Sequence, residues 1–199
     1  MKAEEAVDFI EVQKPGDKFK QRAAVFISFL AMLLAITSLG GQNASKDALN
    51  NNILAANAFS FYQAKYIRQT SLALAADEIE LAWASMPGLG PEAQAALKKK
   101  SDAYRATVAR YETEPSNGEG KKELMARARA HEDIRDRAMK QDPYFDYAEA
   151  LLQIAIVLIS VSLVTEVIWL AFMAGALGLA GGALMVNGFF LLVDLPGFS

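Results

Sequence analysis

Cysteine is absent from the 199-residue chain, and histidine occurs once, at His131. Without a thiol there is no disulfide, no thiolate metal site and no cysteine nucleophile. A single imidazole leaves the usual nucleophile–base pairs without their second member. His131 sits among charged residues with no partner at metal-ligand spacing, so a surface position is expected. No H-E-x-x-H, G-x-x-x-x-G-K, G-x-S-x-G or EF-hand loop occurs. Asp77, Glu78 and Glu80 cluster, with Asp77 and Glu80 on one helical face. A dimetal Glu-x-x-His motif would need histidine where Leu81 or Trp83 stands, so a solvated acidic face is expected. No catalytic, cofactor-binding or metal residue is therefore expected. An excess of one charge is lacking too: 20 Lys and Arg against 23 Asp and Glu give a net charge of −3. The opposite charges nearly cancel in each section, which implies no nucleic-acid partner.

What the chain does have is 53% hydrophobic side chains, gathered near its two ends. Residues 23–39 carry no charge, and residues 150–193 carry one, Glu166. Residues 23–41 span roughly 28 Å as a helix, enough to cross a hydrocarbon core. The segment before them holds Glu4, Glu5, Asp8 and Glu11, and no small-x-small site follows, so a retained anchor is expected rather than a cleaved signal. Lys14, Lys18, Lys20 and Arg22 precede this run, and only Lys46 follows closely. That bias places residues 1–22 in the cytoplasm. Arg127, Arg129, Arg135, Arg137 and Lys140 lie on the opposite side by this reading. Long inserts translocate largely regardless of charge.

The C-terminal apolar block is about twice one membrane thickness and reads as a hairpin. One option buries Glu166 in a helix and turns at the glycines. The other turns at Thr165 and Glu166, leaving residues 147–164 and 168–193 as spans. A carboxylate in hydrocarbon costs at least about 2.5 kcal/mol, and Trp169 suits an interfacial belt beside the second turn. The turn at Glu166 is the expectation; the alternative makes this residue a buried proton or ion carboxylate. On the last span Ala174, Gly178 and Gly182 are spaced by four, and Gly175 and Gly181 widen the strip. Such a face lets helix backbones approach closely in lipid, in this chain or in another.

Residues 42–146 form the polar section. Residues 44–86 contain neither proline nor glycine and favour helix. MPGLGPE breaks the chain, with Pro91 suited to a helix N1 position and Glu92 to its first turn. A second helix runs to about Tyr111, EPSNGEGKK is a loop, and a third helix runs from Glu123 to about Gln141, before Asp142 and Pro143. The pairs Glu123–Arg127, Arg129–Asp133 and Asp133–Arg137 stand at i,i+4 spacing, and Lys98-Lys99-Lys100 reads as solvated surface. The fold class is all-α: three transmembrane helices with a long helical-hairpin insert between the first and second. A compact bundle with a kinked first helix is the alternative.

Asn43, Asn50 and Asn57 lie one heptad apart, with Asn51 and Asn52 beside the middle one and Ile36 seven before the first. A polar residue at one heptad position can fix coiled-coil register and oligomer state. The stretches AAVFISFLAMLLAITSLGGQNASKDAL, FYQAKYIRQTSLALAADEIE and LLQIAIVLISVSL resemble a bacterial family known as domain of unknown function 4337, over nearly the whole chain. That resemblance supports three spans in a bacterial inner-membrane protein and implies no activity; with the charge bias of the first span, the expectation is a multi-pass protein of that membrane with a periplasmic insert. The family's turn is commonly basic, whereas here it is TEVIW. Two function classes follow. One is a structural or accessory subunit whose partners are the lipid bilayer and either itself or a larger membrane complex. The other is an oligomeric pore with an asparagine-lined mouth above an apolar constriction that gates by dewetting.

Overall fold

A computed structural model describes residues 15–195, with side chains from Lys18 onward. The acidic N-terminal residues, Lys14 and the last four residues lie outside the described residues. The chain is all helical: α1 (Pro15–Ser85), α2 (Pro91–Glu112), α3 (Lys121–Thr165) and α4 (Ile168–Phe190). No strand occurs among the described residues. Three of these helices, α1, α3 and α4, are long and apolar enough to cross a membrane.

Local chemistry accounts for most of the breaks. α1 stops before Pro87 and Gly88, and Pro91 opens α2 at its first turn, where a missing N–H costs nothing. α2 stops at the EPSNGEG loop, where Gly118 takes a positive φ of 66°. Gly120 has no room for a side chain, because a Cβ there would lie 2.7 Å from the Thr113 Cα. Between α3 and α4 the chain reverses at Glu166, whose φ is 57°. The Ser162 hydroxyl donates to the Val167 carbonyl at 2.9 Å and holds that reversal.

One expectation fails. α3 does not end before Asp142 and Pro143 but runs through them to Thr165. Pro143 removes one helical N–H, which by itself would kink or break a helix. Packing on either side overrides it. The Ser45 hydroxyl donates to Asp142 Oδ1 at 2.6 Å, and Phe145 is buried against Gly40, Gly41 and Gly188. A Cβ on Gly40 would stand 2.6 Å from the Phe145 ring, so the glycine is what admits the ring.

The chain divides into two units, residues 1–47 with 137–199, and residues 48–136. In the first, α1, α3 and α4 meet around Ala23, Leu30, Leu152, Ala155, Ile159 and Ala174. The residues after α4 are pinned there. Asn187 Nδ2 donates to the Val193 carbonyl at 2.8 Å, the Val193 N–H donates to Asn187 Oδ1, and the Tyr144 hydroxyl joins them at 3.1 Å. In the second unit, α2 and the start of α3 run antiparallel to α1. Arg105 reaches Glu80, Val108 reaches Gln69, and His131 reaches Asn51.

Candidate functional site

The described residues hold no group of three or more acidic or imidazole side chains able to bind a metal. The polar chemistry gathers instead where FYQAKYIRQT on α1 faces the α2–α3 loop. Tyr62, Lys65 and Gln69 are spaced three and four apart, so one helical face carries all three. Each is half-buried. Lys65 Nζ lies 3.4 Å from Glu114 Oε2 and 3.7 Å from Glu119 Oε2, over the Tyr111 ring. Gln69 Nε2 donates to the Val108 carbonyl at 3.0 Å and to Glu112 Oε2 at 3.2 Å. Lys121 Nζ donates to Gln69 Oε1 at 2.7 Å and to Glu112 Oε2 at 3.0 Å, above the rings of Tyr62 and Tyr66. The Lys121 ammonium holds the Glu112 carboxyl below the usual carboxylate range, with Gln69 adding to the effect.

Glu123 closes the loop from the other side. Its carboxylate accepts from the Thr113 hydroxyl at 2.7 Å and the Glu114 N–H at 3.3 Å. The Thr113 bond leads in lowering its pKa. An open recess of about 300 Å³ adjoins the cluster, lined by Tyr62, Glu112, Lys121, Lys122, Met125, Ala126 and Arg129. Such an arrangement can lock two helix ends and a loop onto α1. It presents no nucleophile paired with a base.

Several sequence expectations change here. Asp77 and Glu80 are not a free acidic face: Arg105 bonds both carboxylates, and the Ser101 hydroxyl donates to Glu80 Oε1 at 2.6 Å. Arg105, then Ser101, push the Glu80 carboxyl down. His131 is half-buried, with Nδ1 2.8 Å from the Asn51 amide oxygen. Glu123 and Arg127 do not pair; Arg127 donates to the Gly118 carbonyl at 3.0 Å. Among the described residues neither Arg129–Asp133 nor Asp133–Arg137 closes to an ion pair, while Arg135 pairs with Glu132 and Asp136. Lys98, Lys99 and Lys100 are exposed.

The asparagine row divides. Asn43, Asn50 and Asn57 are all exposed, as is Ile36. The buried row lies one residue further on, at Ala23, Leu30, Thr37, Ala44, Asn51 and Ala58. Asn51 is therefore the buried amide of the run, while Asn52, exposed, accepts from Arg135 at 3.5 Å. The signal of Asn51 in the sequence was its place between two other asparagines in a helix otherwise rich in alanine.

On α4, Ala174 and Gly178 are buried, and a Cβ on Gly178 would stand 2.8 Å from Leu30 Cδ2. Gly181 packs on Ala148, Leu151 and Leu152 of α3. Gly182 lies at the edge, where a Cβ would stand 4.0 Å from Leu33 Cδ1, and Gly175 faces open space. The close helix contacts of Gly178 and Gly181 thus lie within one chain. Thr165 ends α3 and its hydroxyl donates to the Val161 carbonyl at 2.8 Å, Glu166 forms the reversal, and Trp169 is exposed just after it. Lys20 Nζ lies 3.8 Å from Glu166 Oε1, so the basic flank of α1 and the α3–α4 reversal share one end of their unit.

Comparison with known proteins yields one match. A family model described as a domain of unknown function (DUF4337) matches residues 19–191. Neither a curated protein nor a solved structure matches.

Proposed function

The chain belongs to the DUF4337 family, and we propose that it is a non-catalytic integral membrane protein, a structural or accessory subunit of the bacterial inner membrane. On this reading three helices cross the bilayer, at residues 23–41, 147–164 and 168–190; the last span stops short of the expected residue 193, because Leu191 takes a left-handed conformation and Val193 bonds back to Asn187. Residues 42–146 form a periplasmic helical hairpin, and residues 1–22 and the Glu166 reversal face the cytoplasm. The subunit associates with itself or with a larger membrane complex.

The observation that carries this reading is the apolar outer surface of the first unit. Its interior mixes small residues such as Ala23, Ala155, Ala174 and Gly178 with Leu30, Leu152 and Ile159. Many further large apolar side chains, among them Val25, Val164, Phe172 and Leu179, point outward. Lipid solvates such a surface, and close approach of backbones supplies the packing that water would otherwise drive. The contact between Lys20 and Glu166 supports a common side for the N-terminal flank and the reversal. The ionic side chains Lys65, Lys121 and Arg105 are committed to holding helices together, which favours a scaffold over a reacting site.

Gentle extraction from native membranes followed by mass determination tests the proposal. The expected mass exceeds the 21.6 kDa of one chain. A lone monomer counts against it, and ion flux through vesicles reconstituted with the purified protein would replace it by the pore. Topology is checked with Ser116→Cys, in the exposed α2–α3 loop. An impermeant thiol reagent reaching the periplasm should label it, whereas labelling only after lysis reverses the orientation.

A further inference from the structure

In the unit formed by residues 48–136, the covered side of α1 is marked by Asn51, Ala55, Ala58 and Ala76. Large apolar side chains occupy its other side and are open: Leu49 65%, Ile53 51%, Phe61 67%, Ile67 63%, Leu74 58% and Leu81 71%. A charged, water-facing helix surface looks different, as Lys98, Lys99 and Lys100 on α2 show. Along residues 48–76 of α1 the charged residues are Lys65 and Arg68 alone, and Lys65 is turned toward Glu114. The open residues also keep a register. Ile53, Ile67, Leu74 and Leu81 are separated by multiples of seven, and Asn50 precedes Ile53 by three. Asn43, Asn50 and Asn57 thus fall at a positions, followed by Ala64, Ser71 and Glu78, while Ile53, Ser60, Ile67, Leu74 and Leu81 fall at d, with Leu54 and Phe61 flanking at e.

We propose that this face pairs with the same face of a second copy, α1 lying parallel to α1 as a two-stranded seam between residues 49 and 74, ending before Glu78 at the next a position. The seam rests on the membrane reading above for its direction. α1 carries the first candidate span as well as this face, so two copies inserted in one membrane enter in the same sense and run parallel. In a parallel two-fold pair each a residue meets its own counterpart. Asparagine tolerates that encounter, because an amide both donates and accepts a hydrogen bond. Lysine or glutamate at the same place would repel its copy. Taking on the order of 200 Å² for each free side chain, the open fractions from Leu49 to Leu74 amount to roughly 600 Å² per copy. Specific interfaces bury about 600–1,000 Å² per partner. The face therefore reaches the lower end of that range, with the period and the self-complementary polar layer of a homodimer seam.

The natural absence of cysteine makes the test direct. Leu74→Cys and Asn57→Cys place one thiol each in a d and an a layer, and Lys99→Cys serves as a control on α2. Each variant is oxidised in native membranes and resolved without reductant. Leu74→Cys and Asn57→Cys should each give a disulfide-linked species at twice the chain mass, well above the control. Cross-linking no greater than Lys99→Cys overturns the proposal, and so does a disulfide to a different protein. If the extracted mass still exceeds one chain while Leu74→Cys stays uncross-linked, the seam fails and the accessory-subunit reading survives. A monomeric mass removes both.

Discussion

Replacing Lys65 by methionine removes a cation from a place where water reaches little of it. The side chain is 14% exposed, and that of Glu114, at 3.4 Å, is 17% exposed. Glu119, at 3.7 Å, is 62% exposed and contributes little through the solvent. An exposed ion pair is worth about 0–1 kcal/mol, whereas breaking a fully buried one costs about 3–5 kcal/mol by stranding the survivor. One-sixth exposure lies between these limits, and the Tyr111 ring 5.4 Å from the ammonium adds about 0.5 kcal/mol. A loss of about 2 kcal/mol is expected for Lys65→Met, and about 1 kcal/mol for Glu114→Gln, whose amide oxygen still accepts a hydrogen bond. The double variant should cost less than the two together, with a coupling of about 1 kcal/mol. At about 2–4 °C per kcal/mol for a chain of this length, Lys65→Met should melt about 4–8 °C below wild type. Far-UV circular dichroism of the full chain in detergent measures this. A Lys65→Met midpoint equal to wild type, or strict additivity in the cycle, would refute a buried pair that fastens the loop to α1.

Two further outcomes are expected. Gly178→Leu should lose the α1–α4 contact and yield little monodisperse protein, since even a Cβ would meet Leu30 at 2.8 Å; Gly175→Leu, with nothing within 4 Å, should behave as wild type, and equal loss from both would show that the strip is not a contact face. Glu80, Glu112 and Glu123 all have lowered pKa values, through Arg105, Lys121 and Thr113 respectively. Their contribution is fully present above the ordinary glutamate value of about 4.3 and is lost as pH falls through the lower folded values. Thermal melts from neutral pH downward should therefore lose stability below about pH 4.3, less steeply in Glu112→Gln than in wild type; an identical acid limb would show that Glu112 and Lys121 contribute nothing.

What was legible in the sequence is what local chemistry decides. Pro91 at a first turn follows from its fixed φ, the loop before Lys121 from glycines that admit a positive φ, and the reversal at Glu166 from the cost of a carboxylate in hydrocarbon. What was not legible depends on partners far along the chain. Pro143 reads as a helix end until Phe145 and Gly40 are brought together. Asp77 and Glu80 do lie on an exposed face, and what their neighbours in sequence do not announce is Arg105 on the next helix. Glu123 stands four before Arg127, yet the loop N–H and hydroxyl offer its carboxylate shorter bonds at fixed positions. His131 gave no local sign of its amide partner eighty positions earlier.

The asparagine row shows why a period alone does not choose a face. A seven-residue repeat is present at Asn43, Asn50 and Asn57, and again one position later at Ala44, Asn51 and Ala58. The usual rule would turn the larger apolar residues inward and so bury the neighbours of the first row, Ile53, Phe61 and Ile67. The chain does the opposite, burying Ala44, Ala55 and Ala58. Ala128 and Ala138 on α3 are buried as well, and close approach at small residues adds dispersion to that of the buried Leu30, Leu124 and Leu152. Many other large side chains are left outside in both units. For Val25 or Phe172 a bilayer accounts for that exposure. For Ile53, Phe61, Ile67 and Leu74, on a unit whose other helices carry lysine and arginine outward, lipid does not. The second copy proposed above would cover them, and the exposed asparagines share the seven-residue spacing of Ile53, Ile67 and Leu74.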